Sequence, residues 1–131
     1  MKQSSAVFLI NSKGKVLLIH PSGRYNRKAP WGPPKEGLES GETPLAAAQR
    51  ALSEEVGLVA GSHGPVSDLG PVTYKSKSKK VWCFTARYLG KDNDVNLDWE
   101  NDQYGWFTLE EAVSVTKEEF APILSRSFTL E

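Results

Sequence analysis

Residues 31–58, WGPPKEGLESGETPLAAAQRALSEEVGL, constrain the fold of this chain more than any other stretch. Two adjacent prolines fix φ angles near its start, and the glycines that follow permit backbone conformations that other residues resist. Thr43 is suited to cap a helix whose first residue is Pro44, and Gly57 is suited to end it. The stretch therefore predicts a sharply shaped loop that leads directly into a helix.

The predicted helix has an apolar side and an acidic side. Spacings of three and four residues predict a buried stripe formed by Leu45, Ala48, Leu52 and Val56. Ala51, Glu54 and Glu55 neighbour one another on another side. Carboxylates in the last turn lie at the unfavourable end of the helix dipole, and a divalent cation would reverse that cost. Because Mg²⁺ and Mn²⁺ prefer oxygen ligands, the two glutamates indicate a cation site, with a solvated helix face as the alternative.

The spacing of these residues resembles the signature of the Nudix hydrolases. That signature reads Gly, five residues, Glu, seven residues, Arg-Glu, an aliphatic residue, any residue, Glu-Glu, any residue, Gly and an aliphatic residue. The positions that match it are Glu42, Arg50, Leu52, Glu54, Glu55, Gly57 and Leu58. Two positions differ, because Glu36 stands in place of the first Gly and Ala51 in place of the Glu after the Arg. In the family that Glu binds metal or activates water, so a natural divergent member, an engineered inactive variant and a non-catalytic binder all fit Ala51.

The resemblance implies both a fold and a reaction. The fold is a Nudix-type α/β/α sandwich with a mixed β-sheet, built from residues 1–131 as a single domain. The reaction is metal-dependent hydrolysis of a phosphoanhydride bond in a nucleoside diphosphate linked to another group. The implied catalytic residues are Arg50, which would orient the carboxylates, Glu54, Glu55 and Glu100. The implied ligands of Mg²⁺, with Mn²⁺ as a substitute, are Glu54, Glu55, Glu100 and the backbone carbonyl of Lys35.

Glu100 is included because of a second stretch that resembles the family. It lies a few residues before Tyr104-x-Trp106 and a Leu-Glu-Glu-Ala helix. Many Nudix members place a Glu there that reaches into the site as a metal ligand or base. Asp98 and Asp102 are the alternatives to Glu100 in this role.

Two runs of sequence bear on the substrate. Residues 31–35 and 100–106 resemble the diadenosine polyphosphate hydrolase branch, which implies a dinucleoside polyphosphate as substrate. Two other enzymes could be built on the same site, a nucleoside triphosphate pyrophosphatase and an RNA 5′-end pyrophosphohydrolase. A catalytically weak domain that binds nucleotide without turnover is the remaining alternative.

Residues 21–30, PSGRYNRKAP, form a polar and basic loop just before this stretch. Arg24 and Lys28 place positive charge on either side of Tyr25, close in sequence to the acidic helix. The functional interpretation is that Arg24, Tyr25 and Lys28 bind the substrate together with Lys35, while metal lies on the opposite side. The alternative is a solvated surface loop.

The rest of the chain predicts a sheet and two further helices. Alternating and continuous apolar runs predict strands at residues 5–11, 15–20, 66–76 and 81–89, the last of them central. The lysine-rich segment 75–80 predicts a hairpin end with solvent-facing side chains. Thr108 with Glu111 and Thr116 with Glu119 each have the spacing of a capping box, so each pair predicts a helix start.

Composition limits the classes of function. The chain has 131 residues, equal numbers of acidic and basic residues (16 each), and a single cysteine, Cys83, within an apolar strand. No global charge recruits nucleic acid or membrane, so attraction of a polyphosphate must be local. Cys83 is predicted to be a buried small hydrophobe. Without a signal peptide or membrane-spanning run, we expect a cytoplasmic protein, and the sequence predicts no particular oligomeric state.

Overall fold

A computed structural model describes residues 2–59, 61, 64–74 and 78–129. In chain order, its strands are β1 (Lys2–Asn11), β2 (Val16–Pro21), β3 (Lys35–Gly37), β4 (Ser67–Tyr74), β5 (Lys79–Tyr88) and β6 (Asn101–Phe107). Its α-helices are α1 (Pro44–Val56), α2 (Leu109–Val115) and α3 (Ala121–Thr129), and 3-10 turns occupy Arg24–Asn26 and Glu118–Phe120. No helix within the described ranges is long and apolar enough to span a membrane.

The described strands form one mixed sheet in the order β4-β5-β1-β2-β6. β1 and β5 run parallel, with Lys2 opposite Lys79 and Asn11 opposite Tyr88. The other pairs are antiparallel, and β3 joins the first half of β1 while β2 joins its end. β5 therefore lies inside the sheet, as predicted, and Cys83 on it is buried with its pKa raised to about 12 by that burial.

Helices cover both faces of the sheet. Successive side chains of a strand point to opposite faces, so β1 contributes to two separate cores. Val7 packs on one face with Leu52 of α1. Phe8 packs on the other face with Leu124 of α3 and with Ala112 of α2. The predicted α/β/α sandwich is thereby confirmed, and the C-terminal end of α1 is held rigidly beside the sheet.

Helix α1 begins and ends at the predicted residues. The Thr43 side chain accepts a hydrogen bond from the Ala46 amide at 3.1 Å. Gly57 adopts φ 70°, a left-handed conformation that favours glycine, and its amide donates to the carbonyl of Ser53 at 3.1 Å. These two caps set the first and last residues of α1, and the last turn of the helix carries Glu54 and Glu55.

The buried side of α1 differs from the predicted stripe at one position. Leu45 is 40% exposed, whereas Ala47 and Ala51 are fully buried. The helix packs against β3 as well as β1. The side of the helix that was predicted to carry a cation site is thus buried at Ala51 and Glu55, and Leu45 lies at the surface.

Two helix starts were predicted after β6, of which the first is confirmed and the second is wrong. Thr108 and Glu111 form the expected capping box, with each side chain accepting a hydrogen bond from the other residue's amide. Thr116 does not cap the final helix, because it ends α2 and its hydroxyl donates to the carbonyl of Ala112 at 2.8 Å. The chain then passes through a 3-10 turn before α3 begins, so Glu119 has no cap to complete.

Candidate active site

Arg50 joins the shaped loop to helix α1. Its guanidinium donates to both carboxylate oxygens of Glu42, at 2.9 and 3.0 Å, and to the carbonyl of Gly37 at 2.7 Å. A further bond reaches Glu54 at 3.3 Å. The hydrogen bonds from Arg50 hold the pKa of Glu42 below its usual range. A hydrogen bond with the Glu39 backbone and the charge of Arg50 lower this pKa further. We name Glu54 and Glu55, the adjacent glutamates of the Nudix signature, the box glutamates. Arg50 therefore contacts both the loop and one of the two box glutamates, Glu54.

We expect Arg50→Lys to lower the free energy of unfolding by about 1–3 kcal/mol, because an ammonium cannot reproduce the planar fork that binds Glu42 and Gly37 together. Urea denaturation measures the change. Glu39→Gln is the matched control, since the Glu39 carboxylate lies 3.6 Å from Arg50 but is 69% exposed. Equal losses in the two variants would contradict the clamp.

Glu55 is a buried carboxyl at the end of α1. Its residue is 5% exposed, and its Oε1 accepts a hydrogen bond from the Asn101 side chain at 3.4 Å. Burial raises the pKa of Glu55, and a hydrogen bond with the Glu36 carboxyl and the charges of Glu36 and Asp98 raise it further. Such a group keeps its proton unless positive charge is brought close to it.

Glu55 is one of five carboxyl groups linked by their mutual charges, and we name the five the acidic cluster: Glu36, Glu54, Glu55, Asp98 and Glu100. The Asp98 amide donates to the carbonyl of Glu55 at 3.2 Å, which ties the segment before β6 to the end of α1. Burial raises the pKa of Glu100, and the charges of Glu36, Asp98 and Glu54 add to it. Glu100 therefore lies within electrostatic range of Glu54, one of the two glutamates of the Nudix signature on α1.

Glu36 was missed as a site residue by sequence reasoning. It stood out only as a departure from the Nudix signature, at the position of the first Gly. In the structure it lies in β3 opposite Ser5 of β1, and its carboxyl meets that of Glu55. The replacement therefore adds an acid to the cluster.

The acidic cluster has the chemistry of a cation site without a closed set of ligands. Within the residues that the structure describes, no group of three His, Cys, Asp or Glu side chains is placed to hold a metal ion. Glu54 lies within electrostatic range of Glu100 and precedes Glu55 in the chain, but the three glutamates do not form such a group. Mg²⁺ is usually held by one or two carboxylates together with water and substrate phosphates. Crowded carboxyls that resist ionisation fit such a hard cation, which would stabilise their charged forms.

A pocket opens beside Glu55. Its wall includes aromatic and proline side chains, with polar groups from Glu55, Asn101, Lys35 and Lys117. The side chain of Lys35 thus lies in the predicted site, on the short strand β3. The ammonium of Lys35 and the carboxyl of Glu55 therefore line the same cavity.

Three ammonium groups gather around the ring of Tyr74, and we name them the lysine cluster. The Nζ atoms of Lys35 and Lys79 each lie 5.6 Å from the ring centroid, and that of Lys117 lies 5.1 Å away. Burial lowers the pKa of Lys35, and the neighbouring Lys79 lowers it further. Cations held this close repel one another, so an anion bound among them would relieve that repulsion.

The prediction of a solvent-facing hairpin end is wrong for Lys79. This residue starts β5 and lies directly opposite Tyr74 in the β4–β5 ladder, which turns it toward the ring. Lys117 had no sequence signal, since it lies in the link between α2 and the following 3-10 turn. Residues 75–77 of the same hairpin lie outside the described part of the chain.

The basic loop lies at the rim of the pocket. Its two ends, Pro21 and Pro30, both line the cavity. Arg24, Tyr25 and Lys28 are exposed and, with Arg27, line a separate shallow depression. Of the predicted substrate-binding residues, the structure therefore places Lys35 in the pocket, and Arg24, Tyr25 and Lys28 in the separate depression.

The chain is similar in sequence to curated pyrophosphohydrolases and to a tetraphosphatase. The chain is 33% identical over 113 residues to an RNA pyrophosphohydrolase from Roseobacter denitrificans, a match that spans 75% of this chain and 69% of the relative. It is 34% identical over 111 residues to an asymmetrical bis(5′-nucleosyl)-tetraphosphatase from Sus scrofa, spanning 82% and 73% of the two chains. For the RNA pyrophosphohydrolase of Rickettsia rickettsii, the match spans 62% of the relative.

Solved structures show the same fold. The crystal structure of a MutT protein from Methanosarcina mazei superposes with a TM-score of 0.74 at 25% identity, over 96% of this chain and 91% of that one. An Ap4A hydrolase binary complex from C. elegans gives 0.72 at 21% identity, over 94% and 93% of the chains. Residues 2–129 match the NUDIX domain family. On the match of nearly its whole length, together with the arrangement of Arg50 and the box glutamates, this chain belongs to the Nudix family.

Proposed function

We propose that this protein, with residues 1–131 acting as one catalytic domain, hydrolyses a phosphoanhydride bond in a nucleoside diphosphate-linked substrate. The observation that carries the proposal is that Glu55 of the acidic cluster and two members of the lysine cluster, Lys35 and Lys117, line the same pocket. A polyphosphate bound with a divalent cation presents both of the charges that these groups require. Family membership supports the same reaction class.

The two clusters have separate roles in this proposal. The lysine cluster binds phosphate oxygens through charge-assisted hydrogen bonds. Mg²⁺ or Mn²⁺ would be held by carboxylates from among Glu54, Glu55 and Glu100, with the carbonyl of Lys35 as a further ligand. When bound, the cation neutralises phosphate charge and lowers the pKa of a coordinated water. A glutamate that is not engaged with metal, Glu100 or one of the box pair, takes the proton from the attacking water.

Arg50 acts as a positioning residue in this scheme. Its hydrogen bonds hold Glu54 at the end of α1 and Glu42 in the loop, so it acts through them without touching substrate. The role predicted for Arg50, which is to orient the carboxylates, is therefore part of this proposal. Its partners lie on the side of α1 that faces the shaped loop.

A dinucleoside polyphosphate is the proposed substrate. The relative from Sus scrofa, named as a tetraphosphatase of bis(5′-nucleosyl) substrates, supports it. RNA with a 5′ polyphosphate is the second candidate, because the relatives from Roseobacter denitrificans and Rickettsia rickettsii are named RNA pyrophosphohydrolases. Both substrates present a chain of phosphates to the lysine cluster.

Neutralising Lys117 tests the proposed phosphate site. We expect Lys117→Gln to raise KM for the best substrate roughly 10- to 100-fold, since one charged hydrogen bond to phosphate is lost. Lys91→Gln, at an exposed lysine away from the pocket, is the control. Steady-state assays with a dinucleoside polyphosphate, a nucleoside triphosphate and 5′-triphosphorylated RNA, each with Mg²⁺ and Mn²⁺, give the constants.

Two results would count against the proposal. If both lysine variants behaved alike, the lysine cluster would not be the phosphate site. If none of the three substrates were hydrolysed with either metal, calorimetry would show whether nucleotide still binds. Binding without turnover would establish the alternative of a nucleotide-binding Nudix domain.

A further inference from the structure

Two departures from the Nudix signature change the acids of this chain in opposite directions. Ala51 stands where the signature has a glutamate on the helix, and Glu36 stands where it has a glycine before the helix. One acid is therefore lost from α1, and one acid is gained on β3. The fold decides whether the two positions serve the same place.

Strand pairing fixes the direction in which the Glu36 side chain points. Glu36 lies directly opposite Ser5 in the antiparallel β1–β3 pair, and residues opposite one another in such a pair project to the same face of the sheet. Ser5 shares its face with Val7, two residues further along β1, and Val7 packs with Leu52 of α1. Glu36 and Ser5 therefore both project toward helix α1.

Hydrogen bonds anchor the strand that carries Glu36. The Leu38 amide donates to the carbonyl of Gln3 at 3.1 Å, which ties the end of β3 to β1. The Arg50 guanidinium donates to the carbonyl of Gly37 at 2.7 Å, which ties it to α1. The backbone at Glu36 is thus held between the sheet and the helix, so its side chain is positioned in advance for a ligand.

Glu36 and position 51 both approach Glu55. The Glu36 carboxyl meets the Glu55 carboxyl from the strand. Ala51 precedes Glu55 by one helical turn, so the side chains at these two positions are neighbours on one side of α1. Ala51 is fully buried and carries no polar group. The acid at position 36 therefore lies beside the same glutamate that an acid at position 51 would neighbour.

The hydroxyl of Ser5 also points to a ligand at this place. Ser5 is fully buried, and its Oγ has no hydrogen-bond partner within the part of the chain that the structure describes. A buried hydroxyl without a partner destabilises a folded protein. Mg²⁺ usually keeps several water molecules in a protein site, and such waters supply the hydrogen bonds that a hydroxyl requires.

We propose that Glu36 is a cation-binding carboxylate of this chain, presented from β3 beside Glu55, with the Ser5 hydroxyl as a polar neighbour of the bound ion. Glu36 supplies negative charge that the family signature supplies from position 51. The inference rests on the proposed function and adds a residue to its Mg²⁺ or Mn²⁺ site. Glu36 binds the cation, and proton transfer from water remains with Glu100 or a box glutamate.

Calorimetric titration of the substrate-free protein with Mg²⁺ and with Mn²⁺ tests the assignment. We expect Glu36→Gln to weaken binding of both ions roughly 10- to 100-fold, because a charged ligand is replaced by a neutral one of nearly the same shape. Glu39→Gln, the same change at an exposed carboxyl in the same loop, is the matched control and should leave both affinities unchanged. Equal affinities in the two variants would overturn the proposal, as would a parent protein that binds neither ion.

Ala51→Glu in the Glu36→Gln background tests whether the two positions supply the same charge. The double variant should recover most of the lost Mg²⁺ affinity, since its new carboxyl neighbours Glu55 from the helix. Gln49→Glu in the same background adds an acid at an exposed position of α1 and should recover none. A folded Ala51→Glu double variant that binds Mg²⁺ no better than Glu36→Gln would contradict the exchange between the two positions.

Ser5→Ala separates a role at the site from a purely structural one. Without metal, this variant should unfold at a higher temperature than the parent, because an unpaired buried hydroxyl is removed. With saturating Mg²⁺ that advantage should shrink or reverse, because the hydroxyl of the parent then has partners. A difference in unfolding temperature that is the same with and without Mg²⁺ would remove Ser5 from the site.

Binding measured without substrate separates this proposal from the proposed function. If no substrate were hydrolysed but Glu36→Gln lost Mg²⁺ affinity, the proposed function would fail and the assignment of Glu36 would stand. If substrates were hydrolysed and Glu36→Gln bound Mg²⁺ as tightly as the parent, the assignment of Glu36 would fail and the proposed function would stand.

Discussion

Glu55→Gln should reduce kcat for the best substrate by roughly 10²- to 10⁴-fold, the range expected when a metal-binding or proton-transferring group is removed. Glutamine is nearly isosteric, so it keeps the hydrogen-bonding contact with Asn101 while losing the negative charge. The loss should affect kcat more than KM, because the lysine cluster still binds phosphate. Steady-state kinetics across a range of Mg²⁺ concentrations measures both constants.

The same variant has a second expected result, on stability without metal. The folded-state pKa of Glu55 is raised above its ordinary value near 4.5, so its contribution to stability is present below that value and is lost as pH rises through the folded pKa. Glutamine does not ionise, so the Glu55→Gln variant does not lose stability in this way as pH rises. At pH 8 the metal-free variant should therefore unfold at a higher temperature than the parent protein.

Glu110→Gln, at an exposed carboxyl in the first turn of α2, is the control for both measurements. It should leave turnover and the pH dependence of unfolding close to those of the parent. Retention of full turnover by Glu55→Gln would remove Glu55 from the proposed metal site. A parent protein that is equally stable at pH 5 and pH 8 without metal would contradict the buried protonated carboxyl.

Ala51→Glu should raise kcat by roughly 10²- to 10⁴-fold if the family Glu at this position supplied a base or metal charge. Ala51 is fully buried and lies one helical turn before Glu55, so a side chain there projects toward the same place. The new carboxyl would join Glu55 and Glu36. It would complete the Nudix signature at the position after Arg50.

The stability of Ala51→Glu should depend on metal. A further buried carboxyl lowers the unfolding temperature without a cation, and added Mg²⁺ should restore it by more than in the parent protein. Gln49→Glu adds the same charge at an exposed position of the same helix. It should neither lower the unfolding temperature nor make that temperature more sensitive to Mg²⁺. An Ala51→Glu protein that folds, binds Mg²⁺ and shows no gain in hydrolysis would exclude Ala51 as the cause of weak activity.

Much of the fold was predictable because local chemistry encodes it. Thr43 and Gly57 bound α1 through hydrogen bonds that span only a few residues, so their identity predicts where the helix begins and ends. The run at β5 predicts a central strand because it is rich in aromatic and β-branched residues. The limit of such reasoning is visible at Thr116, where the spacing of a capping box was present but the chain used the threonine to end α2.

The composition of the site was less predictable. The spacing of the Nudix signature identified Arg50, Glu54 and Glu55, since these lie on one helix and their separation is set by its geometry. Glu36 and Lys117 carried no usable signal as partners. Glu36 reaches Glu55 because β3 pairs with β1. Lys117 lines the same pocket as Glu55 because the link after α2 lies over Tyr74.

The sequence by itself determined the helix that carries the box glutamates, the caps that bound it, and its resemblance to the Nudix family. Residues 31–58, the stretch that most constrains the chain, form the predicted helix, but the loop before it contains the short strand β3, which was not predicted. Only the tertiary structure decided that Glu55 of the acidic cluster and Lys35 and Lys117 of the lysine cluster line one pocket. The physical reason is range, because hydrogen bonds within a helix act over a few residues, whereas strand pairing joins residues far apart in the chain.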